Sequence, residues 1–171
     1  MSNFRVRVEK DYTVFCAAHF ITYDGHECES LHGHNYRAAA ALEGPLDENA
    51  YVFDFTRLKR ALKAVVDRLD HRMLLPAESA LIRVTRSGAE VQVTYRDKRY
   101  VFPLSDVVLL PISNTTAEML AWWIARELRQ GLGTLPGGVT AIEVEVDESS
   151  GQRAFYRETL GEDGPGGPGR S

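Results

Sequence analysis

Along residues 3 to 21, NFRVRVEKDYTVFCAAHFI, apolar and polar positions begin by alternating: Phe4, Val6 and Val8 stand against Arg5, Arg7 and Glu9. Period two is the signature of a half-buried strand. The next stretch, TYDGHECES, has turn composition and predicts a loop. LHGHNYRAAAALEG then resumes an extended pattern up to the Gly44-Pro45 break. The pair is expected to form an antiparallel hairpin around a long functional loop. After Asp54 the period changes. Leu58, Leu62, Val65 and Leu69 recur at helical spacing, with Arg57, Lys59, Arg60, Lys63 and Asp67 on the other face. Asp54 is a natural N-cap, and Pro76 follows the end. From Ala80 to Pro103 the chain predicts two or three short strands turned at Ser87-Gly88 and Asp97-Lys98. TTAEMLAWWIARELRQG predicts a second helix, opened by a Thr115/Glu118 capping box and stopped by Gly131. VTAIEVEVDES and RAFYRETL read as two closing strands. The order ββα, inserted hairpin, αββ argues an α+β fold with its helices on one face of an antiparallel sheet.

Composition narrows this picture without redirecting it. At 171 residues the chain predicts one domain over residues 1 to 160 with a real core, interrupted by an inserted hairpin region over 76 to 112. The Gly/Pro-rich end, 161 to 171, is expected to be disordered. Net charge is slightly negative and there is no Lys/Arg block with interleaved aromatics, which disfavours nucleic acid as a partner. No apolar run approaches the roughly 18 residues of a membrane span, and MSNFRVRVEK has no apolar signal core. A cytoplasmic location is expected. The two cysteines, Cys16 and Cys28, are read as free thiols, Cys16 packed in an apolar strand.

Residues 26 to 36, HECESLHGHNY, concentrate metal-binding chemistry. On a strand, side chains at i and i+2 share a face, so His32 and His34 converge and Gly33 leaves the other face open. His19, near the end of the preceding strand, supplies a third nitrogen. Three imidazoles suit Zn2+ and leave its fourth position free, the arrangement of a catalytic rather than a structural site. A lone histidine carries little weight; His-x-His beside a cysteine-bearing loop carries much more. A cupin-type barrel also uses His-x-His but with a Glu shortly downstream, where this chain has Ala38 to Ala41. Along IEVEVDE, Ile142, Val144, Val146 and Glu148 share one face, so an apolar face ends in a carboxylate that needs a partner.

FCAAHF, CESLHGHNY, VFDFTRLK, LDHRML, the AE opening a helix and VEVDES occur in this order between about Ala17 and Tyr156. The series resembles the 6-pyruvoyl-tetrahydropterin synthase and 6-carboxytetrahydropterin synthase family. The resemblance implies the tunnelling fold, here an antiparallel four-stranded sheet with two helices on one face plus the inserted β-hairpin. It also implies a homo-oligomer, a hexamer built as a dimer of trimers, in which subunit sheets join into a barrel with active sites between subunits. By the same resemblance His19, His32 and His34 are the zinc ligands and Cys28 the catalytic thiol. Asp70 and His71 are the pair that relays protons with that thiol. Glu148 receives the pterin ring, and Glu118 and Thr116 lie beside the substrate, although a capping box alone explains a Glu at position 118. His26 carries no motif weight and is expected to be solvated.

Three departures bear on the reaction. Ala117 and Thr115 stand where many relatives carry Ser or Thr and Pro, and the 76 to 112 stretch is longer than in compact relatives. Third, Glu29 stands three residues before His-Gly-His, where relatives that cleave the side chain to 6-hydroxymethyl-dihydropterin use a Glu. CESLHGH thus carries both chemistries. The expected activity is conversion of 7,8-dihydroneopterin triphosphate to 6-carboxy-5,6,7,8-tetrahydropterin, a queuosine precursor, with Cys28 driving it and Glu29 permitting side-chain cleavage. The alternatives are a 6-pyruvoyl-tetrahydropterin synthase of the biopterin pathway and, outside the enzymes, an inactive pterin- or purine-binding protein of this fold.

Overall fold

The computed structural model describes residues 3–25, 27–136 and 138–161; His26 and residues 162 to 171 of the tail lie outside them. The long first strand, β1 (Phe4–His19), pairs antiparallel with β4 (His32–Gly44). Between them a two-residue ladder joins β2 (Thr22–Tyr23) to β3 (Glu27–Cys28). The β1–β4 register shifts between Glu9 and Val14. Thr13 stabilises this irregularity: its buried hydroxyl contacts the Ala38 carbonyl at 2.8 Å and accepts from the Lys10 N–H at 3.2 Å. A bulge of this kind bends a strand and increases its twist.

Helix α1 (Phe55–Val66) starts where expected, the Asp54 carboxylate accepting from the Thr56 N–H at 2.7 Å. It buries Leu58, Leu62, Val65 and Val66, and Leu69 follows them into the core. The second helix, α2 (Ala117–Leu132), differs from expectation at both ends. Its N-cap is Thr116, not Thr115, and its stop is Gly133 at φ 63°, not Gly131. Thr115 instead turns its hydroxyl to the Phe20 carbonyl, which leaves the cap to its neighbour.

The expected four-stranded antiparallel sheet is corrected to a six-stranded mixed one. β5 (Arg72–Pro76), β9 (Val107–Leu110), β10 (Ala141–Ser149) and β11 (Gln152–Thr159) join β1 and β4 in the order β11-β10-β4-β1-β5-β9. β5 runs parallel to β1, and β9 parallel to β5. The expected inserted hairpin is a three-stranded meander, β6 (Arg83–Ser87), β7 (Glu90–Tyr95) and β8 (Lys98–Pro103).

Two apolar clusters result. The larger lies between the helices and one sheet face, with Phe15, Tyr36, Leu42, Ile142, Val144 and Val146 from the strands. The smaller lies on the other face, where Phe20, Met73 and Leu75 pack against Ile82, Val91, Val93 and Tyr95 of the insertion. β5 therefore alternates between both clusters, Leu74 facing the helices and Met73 and Leu75 the meander. On the rest of that second face, Arg and Glu side chains pair across strands, including Arg5–Glu143, Arg7–Glu145 and Arg157–Glu43. Ala39 and Ala41 are buried in β4 between those strands.

Gly44 ends β4 where the chain before β10 passes close by; a Cβ there would lie 2.4 Å from the Gly138 carbonyl oxygen. Gly44→Ala is expected to destabilise the fold by about 1–3 kcal/mol through overpacking. The readout is a lower urea midpoint at unchanged m. No described helix is long and apolar enough to cross a membrane.

Candidate metal centre and active site

The end of the helix-facing sheet surface is where the apolar pattern turns into imidazoles. His19 pairs with His32 across β1 and β4, and Ala17 with His34, so one face carries all three rings. Their ring centroids lie 4.7–5.3 Å apart. One nitrogen from each lies within 4.8 Å of the others, and the trio can hold a metal ion. Gly33, between the two strand histidines, faces away. A Cβ there would come within 3.1 Å of the Ala17 carbonyl oxygen, so the residue permits tight pairing rather than an open surface.

Backbone groups fix which nitrogen each ring presents. The His19 Nδ1 sits 2.9 Å from the Thr115 carbonyl, and the His32 Nδ1 2.8 Å from the Ser30 carbonyl. A carbonyl only accepts, so both Nδ1 atoms are protonated donors and both Nε2 atoms face inward. This is how ligating imidazoles are commonly oriented. The His34 Nε2 is buried without a hydrogen-bond partner, alone in this among the side-chain atoms of the described residues. Burial holds His34 below the usual imidazole range, against the attraction of Glu148. A buried nitrogen lone pair with no donor beside two pre-oriented ones is what a cation site requires, so the donor set fits a metal.

Glu148, at the end of β10, closes the site. Its Oε1 is 3.2 Å from the His19 Nε2 and 3.6 Å from the His34 Nε2, and it accepts from the Tyr36 hydroxyl at 3.2 Å. The neighbouring His19, with His34, holds this carboxyl below the usual range against the burial that raises it, so it is an ionised acceptor. Tyr36 continues the His-x-His face by two more residues, stacks on Phe15 at 4.9 Å and stays protonated because burial pushes its phenol up. Period two alone could have singled it out.

The loop residues split. The Glu29 carboxylate reaches toward the centre, its Oε2 3.9 Å from the His32 Nε2 and 3.4 Å from the Ile21 N–H. The adjacent Cys28 packs against the meander cluster. Burial pushes its thiol up, only partly offset by the positive charge of Lys98 and reinforced by Glu29. Among the described residues, Asp70 and His71 bond each other and the Cys16 backbone, and no hydrogen bond or ion pair joins them to Cys28. The Asp70 carboxylate accepts from the Cys16 N–H at 2.8 Å, the His71 N–H donates to the Cys16 carbonyl at 2.6 Å, and the two side chains meet at 3.0 Å. Burial works to raise the Asp70 carboxyl, but the Cys16 N–H and His71 hold it below its usual range. His71 is largely exposed and sits at φ 55°, a left-handed conformation uncommon outside glycine. Cys16, expected to be packed, is exposed: it points to the sheet face away from the helices, which the meander does not cover there. Thr116 caps α2 one residue after the carbonyl that orients His19, and Glu118 is exposed in the first turn.

Sequence reasoning missed Tyr36, the Thr115 carbonyl, and two residues that hold the 21–31 loop from outside it. Asn114 donates to the Thr22 carbonyl and accepts from its N–H, and Lys98 bonds the Cys28 and Glu29 carbonyls.

Residues 7–159 match the family described as 6-pyruvoyl tetrahydropterin synthase. Over 149 residues the chain is 36% identical to the putative 6-carboxy-5,6,7,8-tetrahydropterin synthase of Methanocaldococcus jannaschii, covering 85% of this chain and 90% of that one. A 60-residue segment, 35% of this chain and 50% of its counterpart, is 42% identical to the dihydroneopterin monophosphate aldolase of Pyrococcus furiosus. Among solved structures, the fold resembles a 6-pyruvoyltetrahydropterin synthase from Plasmodium vivax in which a catalytic glutamate is replaced by alanine. The TM-score is 0.87 at 31% identity, over 94% of this chain and 100% of that one. A match running from Arg7 to Thr159, together with relatives above 30% identity across most of the chain, makes this protein a member of the 6-pyruvoyl tetrahydropterin synthase family of lyase-type enzymes.

Proposed function

We propose that the protein is a zinc-dependent synthase that converts 7,8-dihydroneopterin triphosphate to 6-carboxy-5,6,7,8-tetrahydropterin, a precursor of queuosine and related deazapurines. The observation that carries this is the convergence of His19, His32 and His34 on one point, with the His34 Nε2 buried and unpartnered beside an ionised Glu148. Relatives named 6-carboxytetrahydropterin synthases favour this product over a pyruvoyl one.

The three imidazoles would hold the ion. Bound zinc supplies Lewis acidity to the hydroxyls of the substrate side chain, lowering their pKa and acidifying the adjacent C–H bonds. Glu148, an acceptor at the end of an apolar strand face, suits the amino group and ring N–H of a pterin. Thr116 and Glu118 border that ring. Cys28 takes a proton from the substrate side chain as general base. Asp70 and His71, both anchored to the Cys16 backbone, serve the thiol of a neighbouring copy. That arrangement calls for a homo-oligomer, a dimer of trimers whose sheets close into barrels. The whole reads as one synthase unit over residues 1 to 160 in the cytoplasm, with neither nucleic acid nor membrane as a partner.

A second reaction is favoured by the Glu29 carboxylate, 3.9 Å from the His32 Nε2 while the thiol is set back. Glu29 is the acid–base group for side-chain cleavage to 6-hydroxymethyl-dihydropterin, a reading supported by the similarity to the Pyrococcus furiosus aldolase. Zinc-loaded protein incubated with 7,8-dihydroneopterin triphosphate is expected to yield 6-carboxytetrahydropterin by mass spectrometry, with a minor hydroxymethyl product. Unchanged substrate, or a pyruvoyl product alone, defeats the assignment.

A further inference from the structure

The insertion packs against Cys28 and also hydrogen-bonds the reacting loop through Lys98. Lys98 opens β8, where Lys98, Tyr100 and Phe102 share the partly buried face. Tyr100 and Phe102 pack on the meander cluster, and the Tyr100 ring lies 5.3 Å from Phe20, the residue after His19. Lys98 thus ends an apolar stripe, its stem along the cluster and its ammonium free to reach beyond, the usual behaviour of a lysine at such a boundary. What it reaches is a pair of consecutive carbonyls: its Nζ lies 2.8 Å from the Cys28 oxygen and 2.8 Å from the Glu29 oxygen.

In an extended chain, successive carbonyls point to opposite sides. Two that converge on one ammonium require the backbone to turn between them. That turn follows the last β2–β3 pair at Cys28 and fixes the directions from which the two side chains leave the loop, the thiol against the meander cluster and the carboxylate toward His32. Without the cation, the Cys28 carbonyl would lose its ammonium donor and the Glu29 carbonyl would keep only the Cys28 thiol at 3.6 Å, so the turn would be held far more weakly. The Glu29 N–H, held by the Ile21 carbonyl at 3.0 Å, pins only the next link.

We propose that Lys98 is a positioning residue for Cys28 and Glu29: by gathering both carbonyls on one ammonium it holds the backbone turn from which thiol and carboxylate project, and so fixes where each one reaches. This rests on the reading of those two side chains as the reacting acid–base groups. It gives the longer 76 to 112 stretch a purpose within the active site.

The test compares Lys98→Met and Lys98→Arg with the parent, all carrying Cys16→Ser so that Cys28 is the only thiol. In metal-free protein the iodoacetamide rate is followed up in pH to its alkaline plateau, where the raised thiol is fully ionised and the rate reports access. Lys98→Met is expected to label about fivefold faster or more, while Lys98→Arg, which can still donate to both carbonyls, stays within about twofold of the parent. In zinc-loaded protein, Lys98→Met is expected to lose about tenfold or more in kcat with KM within about twofold and zinc per chain unchanged. Lys98→Arg regains most of that. Labelling that does not change in Lys98→Met overturns the proposal, as does loss of zinc alongside activity, because the lysine would then be supporting the fold and not the turn. Should the parent turn over no pterin, the proposed reaction fails while the labelling result still decides the clamp.

Discussion

Replacing His34 with alanine is expected to leave a folded protein that no longer retains zinc and turns over about a thousandfold more slowly. The fold should survive because of what this ring lacks. Its Nε2 is buried with no partner, and such a group costs about 1–3 kcal/mol, so removing it offsets part of the packing lost with the ring. The lost packing is edge-on contact with His19, His32 and Tyr36, at centroid distances of 4.7–5.5 Å. The net change in the metal-free protein should stay within about 1 kcal/mol, a shift in Tm of about 2–4 °C for a chain of this size. Zinc should stabilise the parent by about 2.7 kcal/mol at a hundredfold excess over Kd and leave the variant's Tm unmoved. The rate loss follows from removing a Lewis acid worth several kcal/mol, at about 1.36 kcal/mol per tenfold. Zinc content by atomic absorption, Tm with and without the metal, and kcat/KM check the three parts. One zinc per chain in purified His34→Ala would remove the basis for the centre.

The second large effect separates the two reacting groups. Cys28→Ala is expected to cut formation of 6-carboxytetrahydropterin by about 10²–10⁴-fold, the usual worth of a positioned acid–base group, and to spare side-chain cleavage. Glu29→Ala should do the reverse. The expectation comes from the turn between them, which puts the carboxylate 3.9 Å from the His32 Nε2 and the thiol against the meander cluster. Neither residue is one of the three converging imidazoles, so zinc retention should be unaffected in both. The thiol route should also climb with pH on the alkaline side. Burial pushes Cys28 up, and its base form is the deprotonated one, so raising pH fills the active form. Product ratios by mass spectrometry across a pH series test both statements. Full carboxytetrahydropterin output from Cys28→Ala ends the assignment of the thiol, and equal loss of both products in either variant ends the division of labour.

How far the site was legible depended on the range of the interactions involved. His32 and His34 are two residues apart on a strand, and His19 pairs with His32 across a hairpin, so local periodicity suffices to bring them together. Glu148 was readable from the alternation along β10, which the structure repeats with Ile142, Val144 and Val146 buried. β5 and β9 escaped notice because MLLP and VVLL are short apolar runs without alternation. β5 packs on both faces and so has no polar side to announce it, as is usual for parallel strands. Cys16 was misjudged for a related reason: apolar neighbours in sequence do not say whether anything covers its face. The N-cap slipped by one residue because Thr115 found a better partner in the Phe20 carbonyl, a competition that no local pattern records.

Taken alone, the order of residues determined the hairpin that carries the histidines, both amphipathic helices, the face on which Glu148 lies and the family to which the chain belongs. Each of these is encoded by spacing within a single element or by a motif read in order. Tertiary structure decided which ring nitrogens point inward, which of Cys28 and Glu29 faces the imidazoles, and that a lysine some seventy residues away holds them. The physical reason is common to all three: a backbone carbonyl bonds whichever donor the packing of distant elements brings within reach, and that choice leaves no periodic trace along the chain.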